Sequence, residues 1–226
     1  MTATIAVLAD RDEALLTHRE IDAALALLPD GVCGEWVATD DPRAHRLDAF
    51  DGLWVGPGTP YRDAAAVLAA IAGAWRTGQP LLATCGGFQH VCLAAVPGSQ
   101  HAESDPDAHE PLVAPLACSL VGETRPVTAR PGSRLAAAMG TEPFAGFHWC
   151  RFGVAPALAH RLEAAGLRIT ATAPDAGVEA LELAPEAHPF FVATLFQPQV
   201  GCAKAGELPP LLAAFAAASS AASSAT

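Results

Sequence analysis

The chain is 226 residues long, 51% apolar and 16% charged, so it can bury a full core and is not disordered throughout. Thirteen Lys and Arg against 24 Asp and Glu give a net charge of −11, with no basic run; this argues against a nucleic-acid partner. No apolar run approaches the ~18 residues of a membrane span, no basic leader precedes Asp10-Arg11-Asp12-Glu13, and no cysteine pair is spaced C-x-x-C. A cytoplasmic protein with free thiols, no membrane partner and no zinc site is expected.

In chain order, Ile5 to Ala9 reads as a buried strand. Glu13 to Leu28 reads as a helix with Ala14, Ile21, Leu25 and Leu28 on one face. Trp36 to Thr39 and Gly52 to Val55 are strands, the second ending in Gly56-Pro57-Gly58-Thr59-Pro60. Asp63 to Arg76 is a helix closed by Gly78 and Pro80. Leu81 to Thr84 is a strand that meets Cys85-Gly86-Gly87, followed by a helix to about Ala95. Strands and helices alternating at this spacing predict a parallel sheet with helices on both faces.

The second half is less regular. Gln100 to Pro115 reads as a long polar loop. Strands are predicted over Cys118 to Ala129, Phe147 to Val154, Leu167 to Ala173, Val178 to Leu183 and Phe191 to Phe196. Helices are predicted over Ser133 to Met139, Pro156 to Ala165 and Leu211 to Ala218. Residues 1–218 are expected to form one domain, and 219–226, which hold only Ala, Ser and Thr, a frayed tail.

A strand, then Cys, then Gly-Gly, then an apolar helix is the pattern of a nucleophile elbow. Gly87 and Ala83 stand at the two positions where small residues relieve the strained turn. A helix N-terminus lowers a thiol's pKa, so Cys85 is expected to be an activated nucleophile. The Gly56-Pro57-Gly58 backbone, on the neighbouring strand end, could help to hold an oxyanion. The competing reading is a buried Cys before a glycine turn.

Gly56-Pro57-Gly58-Thr59-Pro60 taken with Thr84-Cys85-Gly86-Gly87-Phe88-Gln89 resembles the class I glutamine amidotransferase family. The resemblance is strongest to the glutaminase region of CTP synthase and to stand-alone proteins described as CTP synthase C-terminal region-related. Thr17-His18-Arg19-Glu20-Ile21 is similar to the start of that group's first helix, and His148-Trp149-Cys150-Arg151-Phe152 to its glutamine-contacting segment. The likeness spans about residues 4–216. It implies a three-layer flavodoxin-like α/β sandwich with a mostly parallel central sheet. It implies Cys85 as nucleophile, Gly58 and Gly86 as oxyanion donors, and Gln89 and Arg151 as substrate contacts. Gly56 and Gln197 complete the substrate-binding set.

The sequence departs from that family where the base should stand. The family carries His-x-Glu after its last strand; here those positions are Gln197 and Gln199. Glutamine cannot take a proton at neutral pH. Among the histidines, His148 is the first choice as replacement base. The His101 and Glu103 pair follows, then His90. His18 reads as structural, and His45, His109, His160 and His188 as exposed. A metal at His90, His101, Glu103, Asp105 and His109 matches no ligand spacing, and no metal or other cofactor is expected.

Two functions therefore stand side by side. One is a Cys85 amidase or amidotransferase that acts on glutamine or a related small amide through a thioester. The other is a non-hydrolytic binding or regulatory module, or thiol chemistry at Cys85 with Cys150 approaching in space. No P-loop is present, so CTP synthesis would need a separate synthetase partner. A homodimer is left open.

Overall fold

The structure, a computed structural model, describes residues 2–225. Along the chain, β1 (Ala3–Leu8), α1 (Leu16–Ala26), β2 (Val32–Val37), β3 (Gly52–Val55), α2 (Ala64–Thr77), β4 (Leu81–Thr84) and α3 (Gly86–Ala95) alternate. There follow β5 (Val113–Pro115), β6 (Glu123–Ala129), α4 (Arg134–Met139), β7 (Phe144–His148), β8 (Phe152–Val154), α5 (Ala159–Ala164) and β9 (Arg168–Ala173). The chain then forms β10 (Gly177–Glu182), β11 (Phe191–Thr194), α6 (Cys202–Ala205) and α7 (Pro210–Ala225). A large central sheet has the order β2-β1-β3-β4-β11-β10-β9-β6-β7. The first five neighbours pair in parallel, and the last four extend the sheet antiparallel.

Strand alternation sends β1 side chains to two different cores. Ala6 and Leu8 join Val67, Ile71, Phe88 and Val91 of α2 and α3. Ile5 and Val7 join Ile21, Leu135, Leu211 and Phe215 of α1, α4 and α7. The chain thus forms the expected α/β sandwich with a mostly parallel sheet between helical layers. Among the described residues no helix is long and apolar enough to cross a membrane.

Local chemistry fixes several ends. The Asp63 carboxylate accepts from the Ala66 N–H at 2.9 Å, and Gly78 closes α2 in the left-handed conformation at φ +79°. Asp12 accepts from the Ala14 N–H at 2.8 Å, a turn that delays α1 to Leu16 instead of the expected Glu13.

Three expectations are corrected. The run expected as one strand over Phe147 to Val154 is broken: β7 stops at His148, β8 starts at Phe152, and Trp149-Cys150-Arg151 bend between them. The loop expected from Gln100 ends in β5, which pairs with β8. The tail expected to fray from Ser219 stays helical through Ala225; Thr226 lies outside the described residues. Ser219 is fully buried, its hydroxyl donates to the Phe215 carbonyl, and a Cβ at Gly52 would overlap it. A small polar residue fits there because the helix already supplies its acceptor.

Candidate active site

The parallel register brings the carboxyl ends of β3, β4 and β11 to one edge, with Val55 beside Ala83 and Thr84 beside Thr194. Ligands of open α/β sheets bind beyond such strand ends. Cys85 follows β4 directly and caps α3 at φ +53° and ψ −107°, a conformation that an L residue holds only under constraint. Its N–H donates to the Thr194 carbonyl at 2.9 Å. A Cβ at Gly87 would overlap the Val55 carbonyl, and one at Gly86 would come 2.7 Å from Thr59 Cγ2. The two glycines let the helix start directly against β3 and the loop after it.

That loop is braced from both sides. The Gly56 N–H donates to the Leu8 carbonyl at 3.1 Å, and the Tyr61 hydroxyl donates to the Gly56 carbonyl. Gly56, expected in the substrate set, therefore spends its N–H on the sheet. Buried His18 accepts the Asp12 N–H at Nδ1 (2.8 Å), so its Nε2–H donates to the Pro57 carbonyl at 3.1 Å. Burial lowers its pKa, which keeps it a neutral strut. Gly58, at φ +113°, follows in the turn.

A half-open cavity of about 400 Å³ stands over the Cys85 sulfur. Its walls include Gly58, Gln89, Glu103, Cys150, Arg151 and Gln197. Of the candidate site residues, Cys85, Gly58, Gln89, Glu103, Arg151 and Gln197 are thus brought together. His148, His101, Gly56 and Gly86 do not line the cavity. Trp149 and Cys150 do, in keeping with the segment's resemblance to a glutamine-contacting stretch and with the expected approach of Cys150 to Cys85. A further signal is strand alternation: with His148 pointing inward, the bend after it turns Trp149 toward solvent, where it is 42% exposed.

His148 is fully buried and its Nε2 lies 2.8 Å from Glu179 Oε1, also fully buried. The first-choice base is therefore turned into the sheet. A second acid inside an apolar strand, Glu182, caps α4 by accepting from the Arg134 and Leu135 N–H groups at 2.9 and 3.0 Å. His101 accepts the Glu103 N–H at Nδ1 (3.1 Å), so its Nε2–H donates to Gln89 Oε1 at 3.0 Å. Gln89 in turn donates to the Phe152 carbonyl at 2.9 Å. His101 has no free lone pair for Cys85; it is a brace that sets Gln89 and the Glu103 backbone. His90 donates from Nδ1 to the Gly86 carbonyl at 2.9 Å and packs its ring on Tyr61. Burial pushes both His90 and His101 down to about 4. His188, expected to be exposed, is buried and donates to the Ala74 carbonyl at 3.0 Å.

The thiol is not activated in the way its place in the chain suggests. Burial pushes Cys85 up to about 12, the Gly86 N–H pulls it partly back, and the Glu103 carboxylate pushes it further up. A helix N-terminus acts, but desolvation wins where no positive side chain offsets it. In the base position Gln197 Oε1 accepts from Gln199 Nε2 at 2.9 Å. Gln197 Nε2 is buried without a partner, as are Gln199 Oε1 and Glu103 Oε2. Such atoms cost about 1–3 kcal/mol each unless a ligand or water meets them. Among the described residues no group of three or more His, Cys, Asp or Glu is placed to hold a metal.

The profile of the family described as peptidase C26 matches residues 54–199. CTP synthase of Nocardia farcinica is 31% identical over 189 residues, 73% of this chain and 33% of that protein. CTP synthase of Frankia casuarinae is 31% identical over 227 residues, 88% of this chain and 37% of that protein. The chain therefore spans about a third of the length of these relatives. Among solved structures, the Trypanosoma brucei CTPS glutaminase domain with bound acivicin superposes with a TM-score of 0.82 at 21% identity, covering 97% of this chain and 94% of that one. A putative GMP synthase component from Thermoplasma acidophilum superposes at 0.68 with 17% identity, covering 100% and 98%. These superpositions speak for the fold.

Proposed function

The chain belongs to the peptidase C26 family, the class I glutamine amidotransferase-like domains, and from that premise we propose that its Cys85 cavity binds glutamine or a closely related amino-acid amide. It is a glutaminase-like domain of the CTP synthase type. The observation that carries the substrate reading is the charge layout of the cavity. Glu103, with a buried and unpartnered carboxylate oxygen, and Arg151, whose guanidinium has no partner among the described residues, share the wall around the sulfur. A zwitterion satisfies both: its ammonium meets Glu103 and its carboxylate meets Arg151.

The chemistry proposed follows from those contacts. At rest the thiol is protonated, because it is buried beside a carboxylate. An ammonium docked on Glu103 cancels that negative charge and brings the thiol's pKa down. The sulfur then attacks the carboxamide carbon, and the oxyanion faces the Gly58 and Gly86 N–H groups. The thiol proton leaves on the departing ammonia, and water hydrolyses the thioester. Gln197 donates a hydrogen bond from Nε2 but takes no proton. Turnover lacks the ~10²–10⁴-fold that a positioned base supplies, and it is slow. Released ammonia would serve a separate synthetase.

One observation favours a second reading, binding without turnover: the Gln199–Gln197 hydrogen bond occupies the place of the proton relay. Acivicin tests the shared part of both readings. Incubation should give one adduct per chain, mapped to Cys85, and glutamine should slow it. Labelling of several thiols at similar rates, with no protection by glutamine, would remove the amide pocket. Ammonia release from glutamine then separates the enzyme from the binder.

A further inference from the structure

Cys85 and Cys150 are both buried, both free, and both walls of the same cavity. Cys150 sits in the bend that interrupts β7 and β8. The Cys85 sulfur lies 3.7 Å from the Trp149 carbonyl oxygen, the peptide group that leads into Cys150. That contact and the shared cavity wall bring the Cys150 backbone close to the Cys85 sulfur; a disulfide closes where the two Cα atoms come within about 4.4–6.8 Å. Each thiolate would disfavour the other: Cys85 is among the groups that push Cys150 upward. The remaining thiols are elsewhere. Cys92 is buried in the α3 core, Cys202 on α6 donates a hydrogen bond to the Glu20 carbonyl of α1, and Cys33 and Cys118 are exposed.

We propose that Cys85 and Cys150 form a two-thiol modification site, which a peroxide-class oxidant converts to a disulfide across the cavity floor. The proposal is independent of the amide reading. Cys85, the less strongly raised of the two thiols, reacts first. Its thiolate attacks one peroxide oxygen, the O–O bond breaks, and the products are a sulfenic acid on Cys85 and hydroxide. The Cys150 sulfur then attacks the Cys85 sulfur, the S–O bond breaks, and hydroxide leaves. The two thiol protons meet the two hydroxides. In sum two thiols and hydrogen peroxide give one disulfide and two waters, with each sulfur oxidised by one electron and each peroxide oxygen reduced by one. The first step needs the thiolate, so burial makes it slow at neutral pH. The second step is intramolecular and outruns further oxidation. The disulfide consumes the nucleophile, so oxidation also stops any covalent chemistry at Cys85.

Hydrogen peroxide is added to the whole protein at pH 7 and pH 9, and free thiols are then blocked and peptides mapped by mass. The expected product has lost two hydrogens and joins the Cys85 and Cys150 peptides. It forms about 100-fold faster at pH 9, because the thiolate fraction rises about tenfold per pH unit below the thiol's pKa. A reductant restores both thiols. In Cys150→Ser, Cys85 should gain two oxygens instead, as sulfinic acid. Wild-type protein that gives sulfinic acid at Cys85 without the cross-link, a cross-link to another cysteine, or no reaction at either pH overturns the proposal. Ellman titration in denaturant, where buried thiols also react, gives a check without a variant: two fewer thiols after oxidation are expected, and a loss of one contradicts it.

Discussion

At Cys85 two local effects compete, and their sizes decide the chemistry. A helix N-terminus contributes about half a unit of positive charge. Full burial of a thiolate outweighs that, and the thiol stands at about 12. Glu103 adds to the same side, so removing its charge should free the sulfur. Glu103→Gln is expected to raise the rate of Cys85 alkylation by the neutral reagent iodoacetamide at pH 8, about tenfold for each pKa unit relieved. The same change should weaken protection by glutamine. A fall in the alkylation rate would mean that Glu103 acts as a base toward the thiol and not as a charge that repels its ionisation. The turn that holds Cys85 is legible from Cys85-Gly86-Gly87, because only glycines fit between α3, Val55 and Thr59. The protonation state is not legible, since it depends on Glu103 arriving from a loop further along the chain. His148 misleads for a related reason: its partner Glu179 comes from another strand.

At the scale of elements, the parallel half of the sheet can be read from the chain. Gly52–Val55 and Leu81–Thr84 are short apolar runs between glycine, proline and polar punctuation, and they are the observed β3 and β4. Asp63 and Gly78 mark the ends of α2 by chemistry that acts within a few residues. β2 begins at Val32, before the expected Trp36, because one of its faces is only half-buried, the other is exposed up to Val37, and Gly34 and Glu35 mask the alternation. The break at Trp149-Cys150-Arg151 carries no glycine or proline. It is set by tertiary pairing, with Gln89 and β5 holding the far side at Phe152. One tight element contact is α3 on β3. Gly87→Ala drives a methyl into the Val55 carbonyl, and a backbone atom cannot rotate away. A loss of about 1–3 kcal/mol is expected, read as a lower urea midpoint at unchanged m-value. A midpoint within error of wild type would show that α3 shifts freely, and the constraint on the Cys85 turn would be absent.

For the whole molecule, the balance of charge and burial predicts sensitivity to acid. His90 and His101 stand at about 4 in the fold and near 6.5 when unfolded. Between those values the unfolded chain binds more protons. The stability held by the neutral imidazoles is complete above about pH 6.5 and is lost as pH falls toward 4. The urea midpoint should therefore drop from pH 7 to pH 5. The drop should shrink in His90→Asn with His101→Gln, amides that reproduce the Nδ1 and Nε2 donors without titrating. A pH profile equally steep in that variant would assign the acid sensitivity to other groups. His101 joins α3, through Gln89, to the loop that carries Glu103, so loss of fold and loss of site are expected together on acidification.

The proposed glutaminase-type pocket carries Gln197 and Gln199 in place of its proton relay. The most direct measurement is ammonia release from glutamine by wild type, Gln197→His, the double variant Gln197→His with Gln199→Glu, and a Cys85→Ala control. A positioned base contributes ~10²–10⁴-fold, and a carboxylate that orients the imidazole adds to it. A gain of that order is expected in the double variant, a smaller gain in the single variant, and none without Cys85. A folded double variant that labels with acivicin yet releases no more ammonia than wild type would contradict it.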